Sequence, residues 1–147
     1  MRIGLISDTH GLLRPEALKF LRGADHIIHA GDIGAPEVLE QLREVAPVTA
    51  VRGNNDRERW ARSLPSTVTV ELGGVRIHVL HDLSELERAR GRVVVTGHSH
   101  KPKVEERDGV LYVNPGSAGP RRFTLPVAAG ELRIEGSSVR ARIKELL

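Results

Sequence analysis

Apolar residues follow two rhythms along the chain. In the first third, short unbroken apolar runs alternate with segments of helical spacing. Residues 2–7, RIGLIS, are apolar on both faces, which predicts a buried strand ending at Asp8. Residues 14–23, RPEALKFLRG, open with Pro and close with Gly around helix-forming residues, the punctuation of a helix. Residues 25–32 predict a second strand, 35–45 (APEVLEQLREV) a second helix, and 47–53 (PVTAVRG) a third strand. This β-α-β-α-β succession predicts parallel strands joined by crossover helices. From residue 66 the rhythm changes to strict alternation. STVTVEL (66–72) and VRIHVLH (75–81) flank Gly73-Gly74, a hairpin signal. Residues 83–91 predict a short helix and 92–97 (RVVVTG) a buried strand. Residues 101–114 read as strand, Asp-Gly turn, strand, and 126–146 as two further antiparallel strands. The strand content exceeds one doubly wound sheet. The expected fold is α/β, with two mixed β-sheets packed as a sandwich and flanking helices, in a single domain spanning 1–147.

Composition narrows the chemistry. A length of 147 residues is enough for one hydrophobic core, and with aromatics at 3% that core must rest on Val, Leu, Ile and Ala. The absence of cysteine excludes disulfides, thiolate metal sites and a Cys nucleophile. The apolar stretch within the first ten residues is too short for a secretion signal, and no run approaches a membrane span. A cytoplasmic protein without membrane association is therefore expected. A net charge of +3 and a pI near 9.8 invite a nucleic-acid reading. However, the arginines are dispersed and few aromatics are available for base stacking, so nucleic acid is admitted as a substrate but not as a stable partner.

The polar residues fall where ligands gather in α/β folds, at the carboxyl ends of strands. SDTH (7–10) follows the first strand, GDIG (31–34) the second and GNND (53–56) the third. His81 ends the fifth, GHSH (97–100) the sixth, and NPGS (114–117) follows VLYV. Each motif alone is an ordinary turn or helix cap; their joint placement is not. Asp8, His10, Asp32, Asn54, His81, His98 and His100 offer carboxylate, imidazole and amide oxygen without sulfur. That donor set suits Mn, Fe, Ni, Co or Zn better than a purely oxygen-liganded Ca or Mg. Seven ligands are too many for one ion and suit two.

The order Asp-x-His, Gly-Asp, Gly-Asn-x-Asp, His, Gly-His-Ser-His resembles the calcineurin-like metallophosphoesterase superfamily. More narrowly, it resembles the small bacterial and archaeal phosphodiesterases of the YfcE/MJ0936 type, which share the length and the closing Asn-Pro-Gly-Ser at residues 114–117. The resemblance spans residues 2–117. It implies an αββα sandwich and a metal-dependent phosphodiesterase, with a metal-bridging hydroxide as nucleophile. It also implies that Asp8, His10 and His100 bind one divalent ion, that Asn54, His81 and His98 bind the other, and that Asp32 bridges them. Asp8, Asp32, Asn54 and His98 are expected to serve catalysis directly. Manganese is the first choice of metal, with Ni, Fe, Co or Zn as alternatives. The expected partner is a small phosphodiester substrate, and a homo-oligomer is compatible with relatives of this kind. The alternative is a non-catalytic metal-binding scaffold for protein interaction, the use to which the eukaryotic retromer subunit puts this fold.

The neutral amide has a charge argument. Two divalent ions bring +4, Asp8 and Asp32 −2 and a hydroxide −1, which leaves about +1 to attract a phosphoryl oxygen only if Asn54 is uncharged. Two positions depart from the commoner pattern. Asn55 stands where many superfamily members keep a proton-donating His, a departure that this small group shares, and Asp82 stands where Gly is usual. Asp82 is read either as repelling phosphate or as a replacement acid. Ser7, Ser99 and Ser117 are expected in turns or behind the ligands. Asp56 is expected to orient loops through a hydrogen bond. Arg121 and Arg122 are read equally as a phosphate contact at the pocket mouth or as surface residues. His26 is expected at the surface, His29 in the core or behind the ligands, and His78 on the strand face opposite His81.

Overall fold

The computed structural model describes residues 1–147. In chain order its elements are β1 (Arg2–Ile6), α1 (Pro15–Leu21), β2 (His26–His29), α2 (Pro36–Arg43), β3 (Val48–Ala50), β4 (Thr67–Leu72), β5 (Val75–Leu80), β6 (Val93–Val95), β7 (Lys103–Arg107), β8 (Val110–Asn114), β9 (Ala128–Glu135) and β10 (Ser138–Glu145). Short 3-10 turns occupy Arg59–Ser63 and Leu83–Glu85. Both helices begin with Pro, whose missing N–H falls where no intrahelical partner exists. Glu16 and Glu37 in their first turns, and Lys19 and Arg43 in their last, complement the helix dipoles.

Two mixed sheets result, with strand orders β10-β9-β1-β2-β3 and β4-β5-β6-β8-β7. β1, β2 and β3 pair in parallel, as do β5, β6 and β8, while β9, β10, β4 and β7 join antiparallel. Two tight hairpin turns match their residues. Gly73-Gly74 and Asp108-Gly109 all carry positive φ, the mirror-image turn geometry that the twist of paired strands favours.

The main core lies between the sheets. Ile3, Leu5, Ile28 and Leu132 of the first sheet meet Ile77, Val79, Val93, Val95 and Val113 of the second. A second apolar layer packs Ala17 and Leu21 of α1 and Val38, Leu39 and Leu42 of α2 against Ile6 and Ile27. Each such fully buried aliphatic chain contributes about 1.5–3 kcal/mol. Both α-helices thus cover the outer face of the first sheet. The helix expected over 83–91 is not formed: only Leu83–Glu85 turns, as 3-10. The reason is physical. Leu83 is exposed, Leu86 only partly buried, and Arg88, Arg90 and Gly91 give the segment no apolar stripe to bury. No helix is long and apolar enough to cross a membrane.

The carboxyl ends of β1, β2, β5 and β6 open on one edge of the sandwich. There the loops are laced together by backbone bonds: Asp8 N donates to Gly31 O, His10 N to Asp32 O, and Gly97 N to His81 O.

Candidate metal centre

Asp8 is fully buried, and its Oδ1 lies 3.3 Å from His100 Nε2, 3.8 Å from His81 Nε2 and 4.0 Å from His10 Nε2. Asp32 Oδ2 lies 3.3 Å from His81 Nε2 and 3.7 Å from His10 Nε2. Two groups are close enough to hold a cation, Asp8–His10–His100 and Asp8–Asp32–His81. Asp8 is common to both, whereas the resemblance implies Asp32 as the bridge; Asp32 nevertheless touches one histidine from each expected set. Asn54 and His98 sit at the exposed rim, with His98 Nδ1 3.2 Å from Asn54 Oδ1 and the His98 ring 5.2 Å from that of His81. All seven expected ligands therefore lie in one neighbourhood, five in the cleft and two at its lip.

The donor atoms fit a cation. Asp8 Oδ1, His10 Nε2, His81 Nε2 and His100 Nδ1 are buried without a hydrogen-bond partner, which folded proteins seldom tolerate. His81 Nδ1–H donates to Ala30 O at 2.7 Å, which fixes the tautomer and leaves Nε2 a free lone pair aimed at the two carboxylates. Burial pushes the Asp8 carboxyl above its usual range, although His81, a hydrogen bond from Ser7 and His100 pull the other way. Burial acts in the same sense on Asp32, but the adjacent His81 ring and the hydrogen bonds from Asn55 outweigh it and hold that carboxyl below its usual range. Burial would lower His81; Asp32 and Asp8 outweigh it and raise it. His100 is lowered, chiefly by burial, with the nearby Arg122 adding to the effect.

The backbone is strained at these positions. Seven non-glycine residues have positive φ, and five of them are Asp8, His10, Asp32, His98 and His100. Left-handed backbone at a side chain with a Cβ costs about 1–3 kcal/mol and persists only where the surroundings enforce it. Glycine supplies the close approach. A Cβ at Gly53 would overlap the Asp32 carboxylate, and one at Gly97 would overlap Ser7 Oγ and Asp8 Oδ2.

The supporting shell explains the residues in doubt. Asn55 donates from its backbone N and its Nδ2 to the two oxygens of Asp32, at 2.9 and 3.0 Å, so it clamps a carboxylate and is not free to act on a leaving group. Asp56 accepts from the backbone N–H of Ile33, Gly34 and Gly53 and ties the loops after β2 and β3 together. Asp82 accepts from Ser84 N and Oγ and caps the 3-10 turn. Burial would raise its carboxyl, but those two bonds hold it below its usual range, which suits an ionised cap and not a proton donor near neutrality. Ser7 Oγ donates to Asp8 Oδ2 at 2.7 Å and Ser117 Oγ to Asp8 O at 3.0 Å. Ser99 Oγ accepts from Asn114 Nδ2 and Lys101 N.

Of the remaining histidines, His29 is buried, with its pKa lowered to about 3 by burial and by His81, and so stays neutral. Its Nδ1 accepts from Gly31 N and its Nε2 meets Thr9 Oγ1, so it is both a core residue and a support for the ligand loops. His78 faces away from His81, on Thr69 at 2.8 Å, and His26 is half-buried on Thr49. Arg121 and Arg122 are exposed.

Residues 1–136 match the model of the calcineurin-like phosphoesterase superfamily domain. A probable metallophosphoesterase of Methanothermobacter thermautotrophicus is 34% identical, over 97% of this chain and 91% of that protein. The phosphodiesterase MJ0936 of Methanocaldococcus jannaschii is 32% identical, over 79% of this chain and 83% of that protein. Among solved structures, Vps29 of Chaetomium thermophilum superposes with a TM-score of 0.84 at 23% identity, covering 100% of this chain and 86% of that one, which is a likeness of fold.

Proposed function

The chain belongs to the calcineurin-like phosphoesterase superfamily, and from that premise we propose that it is a phosphodiesterase working with two divalent ions, manganese first among them. The observation that carries the reading is the convergence of Asp8, His10, His81 and His100: Asp8 Oδ1, His10 Nε2 and His81 Nε2 are buried and unpartnered, and His100 Nε2 lies 3.3 Å from Asp8 Oδ1. Asp8, His10 and His100 would hold one ion, Asn54, His81 and His98 the other, with Asp32 between them. When bound, such ions supply Lewis-acid polarisation of a phosphoryl oxygen and a water acidic enough to attack phosphorus at neutral pH.

The protein's own residues do the rest. Ser7 holds Asp8 Oδ2, and Asn55 holds both oxygens of Asp32, so neither carboxylate has to reorganise as charge develops on the phosphoryl group. His81 is oriented by Ala30 O. Asn54 lends an oxygen without charge. The serine hydroxyls at the site are engaged with Asp8 or Asn114, which supports attack by water and not by a side chain. The site presents no proton donor aimed at a leaving group: Asn55 is committed to Asp32 and Asp82 to Ser84. This favours diesters with good leaving groups, or protonation by solvent.

The test is hydrolysis of bis-p-nitrophenyl phosphate beside p-nitrophenyl phosphate. The protein is stripped with EDTA and then reloaded with Mn²⁺. Metal-dependent turnover that favours the diester, and that is lost in His100→Ala, is expected. No metal-stimulated turnover of either ester would move the protein to the scaffold reading, which the fold likeness to Vps29 keeps in view.

A further inference from the structure

On the Asn54–His81 side the cleft widens into a cavity of about 450 Å³ with no hydrophobic residue in its wall. Three of its lining residues are Arg52, Arg57 and Arg62, from the single segment between β3 and β4. None of the three makes an ion pair with any carboxylate of the protein. Three carboxylates, Asp56, Asp82 and Glu85, share the wall, but none of them pairs directly with an arginine. Asp56 spends its carboxylate on three backbone N–H groups, Asp82 caps its turn, and Glu85 bridges to none of the three.

Arg52 is the sharpest of the three. It is half-buried, its backbone N is fixed to Pro65 O, and its Nε is buried without a hydrogen-bond partner. Arg57 is steered by its Nε, which donates to Asn54 O at 3.1 Å and leaves its terminal nitrogens free beside that residue. Unpaired guanidinium groups in a wholly polar cavity are made for an anion, and their planar fork matches the oxygens of a phosphate. The scissile diester has a single negative charge, which the expected ions already meet. Three further arginines exceed what it needs.

We propose that this cavity is a subsite for a second phosphoryl group on the substrate. It would recognise a phosphodiester one of whose alcohols carries another phosphate, as in a nucleotide unit phosphorylated at both 3′ and 5′ positions. The inference rests on the phosphodiesterase reading of the adjoining centre and names its substrate class.

The test compares the p-nitrophenyl ester of thymidine 5′-phosphate with the same ester bearing a 3′-phosphate, using Mn²⁺-loaded protein. The second ester should have a kcat/KM about tenfold higher, through a lower KM, the size expected of one charge-assisted contact. Arg62→Ala, on an exposed turn, and Arg52→Gln should each collapse the ratio toward one. A third ester, in which the 3′-phosphate continues into another nucleoside, separates sources. Turnover as fast as the bisphosphate assigns the subsite to a nucleic-acid strand, and slower turnover to a terminal phosphate. Equal kcat/KM for the first two esters overturns the proposal, as does a ratio that both variants leave unmoved. Calorimetric binding of thymidine 3′,5′-bisphosphate to protein in chelator decides independently of turnover. Arg62→Ala should bind about tenfold more weakly than the parent chain, and equal binding rejects the subsite. Should neither ester turn over, the phosphodiesterase reading falls while the calorimetry still decides the subsite.

Discussion

Asn54 brings an oxygen to the lip of the cleft without bringing charge, and its neighbour Asn55 holds Asp32 with both of its N–H donors. The two adjacent amides therefore differ in placement, one at the exposed lip of the cleft beside His98 and one on the carboxylate. Asn54→Asp adds a negative charge where a phosphoryl oxygen must approach. It should lower kcat/KM for bis-p-nitrophenyl phosphate by about tenfold or more while Mn²⁺ affinity holds or rises; steady-state kinetics beside calorimetric metal titration checks it, and unimpaired turnover removes the charge argument. The ligand types and their places at strand ends were legible because their chemistry is unusual in ordinary turns. Asn55's grip on Asp32 was not, because it joins residues 23 apart and depends on how two loops face each other. The left-handed backbone at Asp8, His10, Asp32, His98 and His100 was equally hidden, since nothing in those residue types demands it. The same holds for the arginines flanking GNND, which look dispersed in the sequence until the loop folds them around one cavity.

At the scale of elements, the strand order places β9 between β1 and β10 and buries Glu131 on it. Arg2 of β1 and Arg142 of β10 both bond to Glu131, and Arg133 lies 3.5 Å away. Burial alone would raise the Glu131 carboxyl, but the arginines, Arg2 foremost, hold it below its ordinary value of 4.5. A depressed folded-state pKa means that the stability from this carboxylate is present above the unfolded value and disappears as pH falls through the folded one. Glu131→Gln should therefore have a lower Tm than the parent chain at pH 7. The gap should close as pH drops below 4.5, which thermal melts of the two proteins across pH measure directly. The strands themselves were readable from alternation and apolar runs, and two of the three tight hairpins from Gly-Gly and Asp-Gly. The 83–91 segment was not, because its composition permits a helix but its two leucines find too little surface to bury.

At the scale of the molecule, the expected ligands divide between the two sheets. Asp8, His10, Asp32 and Asn54 follow strands of the first, and His81, His98 and His100 strands of the second. A cation held between them links the sheets at their open edge, so it binds only the folded chain. At about a hundredfold excess over Kd, Mn²⁺ should stabilise by about 2.7 kcal/mol per site and raise Tm by about 5–10 °C. Scanning calorimetry with and without EDTA measures this, and Asp8→Asn should lose most of the shift. The sequence by itself determined the α/β class, the strand ends that carry the chemistry and the donor atoms available there, because residue type and spacing govern hydrophobic period, turn geometry and ligand softness. Only the tertiary structure decided that both helices cover one sheet. It also set Asp8 among three histidines, left the donor lone pairs unpartnered, and gathered Arg52, Arg57 and Arg62 into one pocket. Those facts arise from contacts between distant segments, whose distances and burial no local pattern encodes.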